Sequence, residues 1–253
     1  MKKRIILKIG TSTLTQGSLR ISRGKIEDIA NQIQQLTESG HQIILVSSGA
    51  IAAARQVVKM RNSGSIKVKQ ALASIGQVQL MKIYQEVFND YNIPVSQCLL
   101  TYYDFKNQDS KENIINTIEA LLKFDFLPII NENDTVATDE IMFGDNDKLA
   151  ALTAVLCKAD LLVLATDIDG LYNSDPKKDS KAQLIKEVKD IQPHIDQVGE
   201  GKSDQGSGGM KSKLVAAKIA QEASVPTWIL NGNHPNFLIK ALQEESGFTK
   251  ILV

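Results

Sequence analysis

The feature that most constrains the fold is a recurrence of short apolar runs rich in β-branched residues, each followed by a segment of helical period. The runs are RIILKI (4–9), QIILVS (42–47), IPVSQCL (93–99), FLPIIN (126–131), LLVLAT (161–166) and PTWILN (226–231), with TKILV (249–253) as a further candidate. Most lack strict polar alternation, as expected of parallel strands covered on both faces. Between them the 3.6-residue period predicts helices over 23–39, 50–59, 67–90, 111–123, 148–158 and 210–223. Strand then helix, repeated, predicts a doubly wound α/β fold: a three-layer αβα sandwich with a mainly parallel central sheet.

At 253 residues with 43% apolar content the chain can bury a large core. It holds no internal repeat, low-complexity tract or linker, so a single domain over 1–253 is expected. Lys plus Arg and Asp plus Glu both number 29, giving no global field for nucleic acid or a membrane surface. No segment approaches the roughly 18 apolar residues of a spanning helix. The cysteines, Cys98 and Cys157, sit in apolar segments and suit buried thiols of a reducing compartment, which makes the cytoplasm the expected location. His41, His194 and His234 are too far apart to suggest a metal site, and no GxSxG nucleophile turn is present.

In open α/β sheets ligands gather beyond the carboxyl ends of strands, so the residues following each run carry the functional information. After the first run comes KIGTST, with Lys8 at the strand end, then Gly10, Thr11 and Ser12. Glycine and a lysine suit a phosphate, yet on this piece by itself an edge lysine and a tight turn are the better explanation. After the second comes VSSGAIA, where Ser47, Ser48 and Gly49 open a helix; anion binding and plain serine capping are balanced. Neither a Walker A loop nor a GxGxxG turn is present. In GSGGMKSKL, glycines precede a helix carrying Lys211 and Lys213, a combination that favours a polyphosphate.

The fourth piece, PIINENDTVATDEIMFGDNDKL, sets Asn131, Asn133, Asp134, Asp145, Asn146 and Asp147 around an expected hairpin beside an apolar strand and helix. Such density suits an ammonium and a carboxylate. Locally, turn and cap chemistry accounts for it slightly better. The stretch 167–209 is rich in turn signals and reads as loop.

Taken in order, KIGTST, VSSGAIA, PIINENDTVAT…GDNDKLAAL, LATDIDGLYNSDP and GSGGMKSKL resemble the amino acid kinase family over essentially the whole chain. The likeness is greatest to its branch acting on L-glutamate in proline biosynthesis. The resemblance implies ATP-dependent phosphorylation of the glutamate γ-carboxylate, with Mg2+ carried mainly on the ATP phosphates and no metal ligand from the protein. It implies a catalytic set of Lys8, Lys213 and Asp147, the lysines stabilising the transferred phosphoryl group and the acid holding them. Ser48, Gly49, Asn131, Asp134, Asp145 and Asn146 are implied to bind glutamate. Lys8, Gly10, Thr11, Ser12, Thr166, Asp167 and the run Ser207, Gly208, Gly209, Met210, Lys211, Ser212 and Lys213 are implied to bind ATP. The acceptor site would then lie mainly in the N-terminal part and the nucleotide site mainly in 160–253. The resemblance further implies proline as feedback inhibitor, a homo-oligomer (dimer or tetramer), and transfer of the product to glutamate 5-phosphate reductase. Many relatives continue into a C-terminal PUA domain, which is not expected here. Sister kinases with another acceptor, and a non-catalytic nucleotide or proline sensor, are the competing readings; a sensor would have no use for Lys8, Asp147 and Lys213 together.

Overall fold

The computed structural model describes residues 2–58, 65–137, 146–176, 178–198 and 209–253. The expected strands form β1 (Arg4–Ile9), β2 (Gln42–Ser47), β3 (Val95–Leu100), β4 (Leu127–Glu132) and β5 (Leu161–Thr166). They continue with β6 (Glu187–Val188), β7 (Thr227–Asn231) and β8 (Thr249–Ile251). The eight strands make one sheet in the order β3-β4-β2-β1-β5-β7-β8-β6. The neighbours from β3 through β7 run parallel, and β8 turns antiparallel against β7.

Because β1 is central, its alternating side chains feed both layers. Ile5, Leu7 and Ile9 enter one core, under α2 (Arg23–Glu38), α4 (Ile66–Asn89) and α9 (Phe237–Leu242). Ile6 enters the other, under α5 (Gln108–Lys123), α6 (Asp147–Leu156) and α8 (Met210–Glu222). By the same alternation Lys8 points to the α6 and α8 side. An edge-lysine reading fails here, since Lys8 is paired with Val46 and Leu164 on either side and is 2% exposed.

Three local differences from the sequence reading follow from element length. The hydroxyl-rich turn after β1 is a short helix, α1 (Thr11–Thr15), anchored by buried Leu14 and too short to show a period. The helix expected over 50–59 stops early, as α3 (Ala50–Ala54), where Arg55, Gln56 and Val57 turn out to solvent and have no surface to bury. The stretch 167–209 contains β6 and α7 (Gln192–Gln197) in addition to turns; a two-residue strand held by β8 leaves no trace in a hydropathy pattern. The hairpin expected after β4 falls on 138–145, outside the described residues.

Packing around α4 positions one side of the site. Gly76 lies so close to α3 that a Cβ there would stand 1.7 Å from the carbonyl oxygen of Ala50. Only glycine permits that approach. It seats α4 directly behind the ends of β2 and β4.

Candidate active site

Doubly wound sheets collect side chains at the carboxyl ends of their strands, on both sides of the point where strand order reverses. Here that point is β1, flanked by β2 and β5. Lys8 projects from the end of β1. Asp147 opens α6, and Lys213 lies in the first turn of α8, packed beside α6 through small side chains such as Ala150, Ala154, Ala217 and Ala220. The three meet: Lys8 Nζ is 2.6 Å from Asp147 Oδ1, and Lys213 Nζ is 3.0 Å from Asp147 Oδ2. Ser212 Oγ donates to the same Oδ2 at 3.4 Å.

All three charged side chains are sequestered, with exposures of 3% for Lys8, 7% for Lys213 and 0% for Asp147. Burial alone would push the Asp147 carboxyl up, but the ammonium groups of Lys213 and Lys8 outweigh it and hold the acid at about 2. The carboxylate is therefore fixed in its charged form. Two ammonium groups against one carboxylate give these three buried side chains, taken together, a positive charge. Such a charge is costly unless an anion joins it. The triad thus has the charge of an anion-binding centre with its two cations already aligned.

Asn146 stands at the N-cap of α6, and its backbone carbonyl accepts from Ala150 N at 2.9 Å as a cap should. Its side chain makes no capping bond. Instead Nδ2 donates to Ser47 O at 3.0 Å and Asn131 Oδ1 at 2.6 Å, with Ser48 Oγ at 3.3 Å. The local cap reading therefore holds for the backbone and fails for the side chain, which ties α6 to the ends of β2 and β4. Ser48, Asn131 and Asn146 are all buried in one cluster. Gly49 closes the turn after Ser48 with φ +106°, and a Cβ there would meet Leu14 at 3.2 Å. Asp134 follows β4, half-buried, and burial pushes its carboxyl up to about 6.

Three residues that sequence reasoning treated only as helix take part in this cluster. Gln70, Gln77 and Tyr84 sit on one stripe of α4, each two helical turns from the next. Gln70 Nε2 donates to Asp134 O at 3.2 Å, Asn131 Nδ2 donates to Gln77 Oε1 at 2.8 Å, and Tyr84 bonds Ser47 Oγ at 2.8 Å. In sequence they share only a seven-residue spacing, which places them on one face of α4 among its many other polar residues.

On the other side of β1 lie the groups assigned to a nucleotide. Thr166 ends β5 buried and donates to Asp167 Oδ1 at 3.2 Å. Gly10 precedes α1, and Thr11 and Ser12 begin it, half-buried. Gly209 caps α8 and Met210, Lys211 and Ser212 form its first turn. Gly10 comes within reach of Lys8, whose Nζ would stand 3.5 Å from a Cβ built there. Asp145, Ser207 and Gly208 lie outside the described residues. Beside Thr166, Asp169 Oδ1 accepts from Asn231 Nδ2 at 3.0 Å and pairs with His234 Nε2 at 2.9 Å.

Among the described residues no group of three or more His, Cys, Asp or Glu comes together as a metal site, and no helix is long and apolar enough to cross a membrane. Cys98 and Cys157 are both free thiols, half-buried and buried respectively.

The site and the fold have relatives. The amino acid kinase family matches residues 3–231. A glutamate 5-kinase of Haemophilus influenzae (strain PittGG) is 42% identical over 99% of this chain and 69% of its own. A glutamate 5-kinase of Dehalococcoides mccartyi (strain CBDB1) is 42% identical over 99% of this chain and 68% of its own. The chain thus spans about two thirds of the length of these relatives. Among solved structures, UMP kinase from Ureaplasma parvum superposes with a TM-score of 0.65 at 18% identity, covering 100% of both chains. An isopentenyl phosphate kinase does so at 0.66 and 19%, covering 98% of this chain and 99% of its own; at such identity these two speak for the fold alone. By sequence match over most of its length and by architecture, the chain belongs to the amino acid kinase family.

Proposed function

We propose that the protein transfers the γ-phosphoryl group of ATP to the γ-carboxylate of L-glutamate, giving γ-glutamyl phosphate, the first step of proline biosynthesis from glutamate. The observation that carries this is the buried Lys8–Asp147–Lys213 triad, two cations held on one acid between an amide-lined cluster and the β5 end of the sheet. The names of the relatives that match over 99% of this chain supply the substrate.

The residues fit such a reaction without a general base. A γ-carboxylate has a reference pKa of about 4.3 and is already ionised at neutral pH. The barrier is electrostatic: an anion must approach a polyphosphate. Lys8 and Lys213 stabilise the charge on the transferred group's oxygens, and Asp147 keeps both ammonium groups aimed without neutralising them. Mg2+ would be carried mainly by ATP rather than by residues of the chain, and would supply further neutralisation of phosphate charge. Asp134 and the Asn146 Oδ1 acceptor hold the substrate ammonium, with Ser48, Gly49 and Asn131 shaping the same pocket. Asp145 belongs to that acceptor side. Thr166, Asp167, Gly10, Thr11, Ser12 and the run Ser207–Lys213 hold the nucleotide.

The same reading makes proline the end-product inhibitor, the working enzyme a cytoplasmic homo-oligomer, and glutamate 5-phosphate reductase the consumer of a labile acyl phosphate. It also places the whole of 1–253 in one kinase domain. An ATP-dependent hydroxamate assay tests it with glutamate, acetylglutamate, aspartate and UMP as acceptors, with and without proline. Hydroxamate from glutamate, suppressed by proline, is expected; ADP release with UMP or acetylglutamate in preference to glutamate overturns the acceptor assignment.

A further inference from the structure

Behind the acceptor cluster runs a line of three amide side chains whose orientation is set by the backbone. Asn146 Nδ2 must be the amide nitrogen, because it faces the carbonyl of Ser47. Asn131 Oδ1 must be the oxygen, because it accepts from Glu132 N at 2.9 Å as well as from Asn146. Asn131 Nδ2 then faces Gln77, which has to present Oε1 at 2.8 Å. The line is polarised from end to end. Two atoms remain over, both fully buried and without a partner: Asn146 Oδ1 at one end and Gln77 Nε2 at the other. A buried acceptor left unpaired is costly, and an arriving ammonium removes that cost.

Gln77 is placed for this by close packing. Gly76 presses α4 onto the backbone of Ala50, and Tyr84 and Gln70, on the same stripe, grip Ser47 and the backbone after β4. We propose that Gln77 is a positioning residue for the acceptor substrate: by occupying Asn131 Nδ2 it keeps Asn131 turned toward Asn146, and so keeps Asn146 Oδ1 free for the substrate ammonium. This rests on the acceptor site proposed above. Without an acceptor at position 77, Asn131 Nδ2 is a buried unpaired donor, and the side chain regains a partner only by turning away from Asn146.

The test is steady-state kinetics of the full chain carrying Gln77→Met, Gln77→Glu, Asn131→Ala, and Gln77→Met with Asn131→Ala. Gln77→Met raises the glutamate KM about tenfold, the loss of roughly one hydrogen bond's worth of binding, while the ATP KM and kcat stay within about twofold. Gln77→Glu keeps an oxygen for Asn131 and restores the glutamate KM to within about threefold of the parent. In the double variant the KM equals that of Asn131→Ala alone, because the two residues act as one unit. An unchanged glutamate KM in Gln77→Met, a Gln77→Glu enzyme no better than Gln77→Met, or additive effects in the double variant would each overturn the proposal. Should Gln77→Met not fold, Gln77→Ala takes its place in both comparisons and is read by the same outcomes. A parent enzyme that uses another acceptor but not glutamate refutes the proposed function and leaves the Gln77 test to be read on that acceptor's KM.

Discussion

Lys8, near the end of the central strand, and Asp147, at the start of α6, are joined at 2.6 Å, and the second oxygen of the same carboxylate binds Lys213. A lysine on the central strand and a lysine on an outer helix are thereby held at one point by an acid that has no exposure of its own. The arrangement explains how two like charges share a desolvated space.

Removing the acid should cost more than its catalytic contribution. Asp147→Asn removes the carboxylate charge that both buried ammonium groups face, and breaking a buried pair typically costs about 3–5 kcal/mol. Urea unfolding should show a loss of that order, with kcat falling alongside. A variant as stable as the parent would mean the triad is solvated in solution.

The same acid makes stability pH-dependent at the acidic end. Its carboxyl is held at about 2 against an ordinary 3.8, so its contribution is complete above the ordinary value and disappears as pH falls through about 2. The shift corresponds to roughly 2 kcal/mol. Unfolding free energies of the parent and Asp147→Asn should converge at the acidic end of that window; parallel curves would contradict it.

Asp134 has the opposite sign. Burial raises its carboxyl from 3.8 to about 6, so its contribution to folding is withdrawn as pH rises through that window. Glutamate binding needs the ionised form, and the glutamate KM should therefore fall as pH rises through about 6. In Asp134→Asn the KM should be roughly tenfold higher and nearly flat across the same range. A parent KM that does not change with pH there would remove Asp134 from the ammonium site.

Gly76→Ala tests the seating of α4. A methyl group at that position overlaps the Ala50 carbonyl, and backbone on both sides cannot yield as a side chain would. A loss of about 3 kcal/mol, the upper end for overpacking, is expected by chemical denaturation, together with a raised glutamate KM. A fully stable variant with normal kinetics would show that α3 and α4 part easily.

The strands were legible almost to the residue, because RIILKI, QIILVS and LLVLAT are continuous apolar runs whose only stable place is a sheet covered on both faces. The helices with long apolar stripes were equally plain. Short elements were not: α1, α7 and the two residues of β6 are fixed by what they pair with, and they contribute too few positions for a period. In the site, Lys8 and Lys213 could be named from motif, whereas their meeting on Asp147 depends on which face β1 turns to α6. Asn146 looked like a cap from its neighbours alone; its true partners, Ser47 and Asn131, come from two other strands. Gln77 escaped notice because a glutamine within a long helix carries no chemical signature until β4 is placed beside it.

The most direct measurement is the turnover number of Lys8→Ala and Lys213→Ala in the glutamate hydroxamate assay, with ATP and glutamate both saturating. Losing one charge contact made to the transferred phosphoryl group typically costs about 3 kcal/mol, so each kcat should fall roughly a hundredfold or more, with the glutamate KM changed far less. Near-parental turnover in both variants would contradict phosphoryl transfer at this triad.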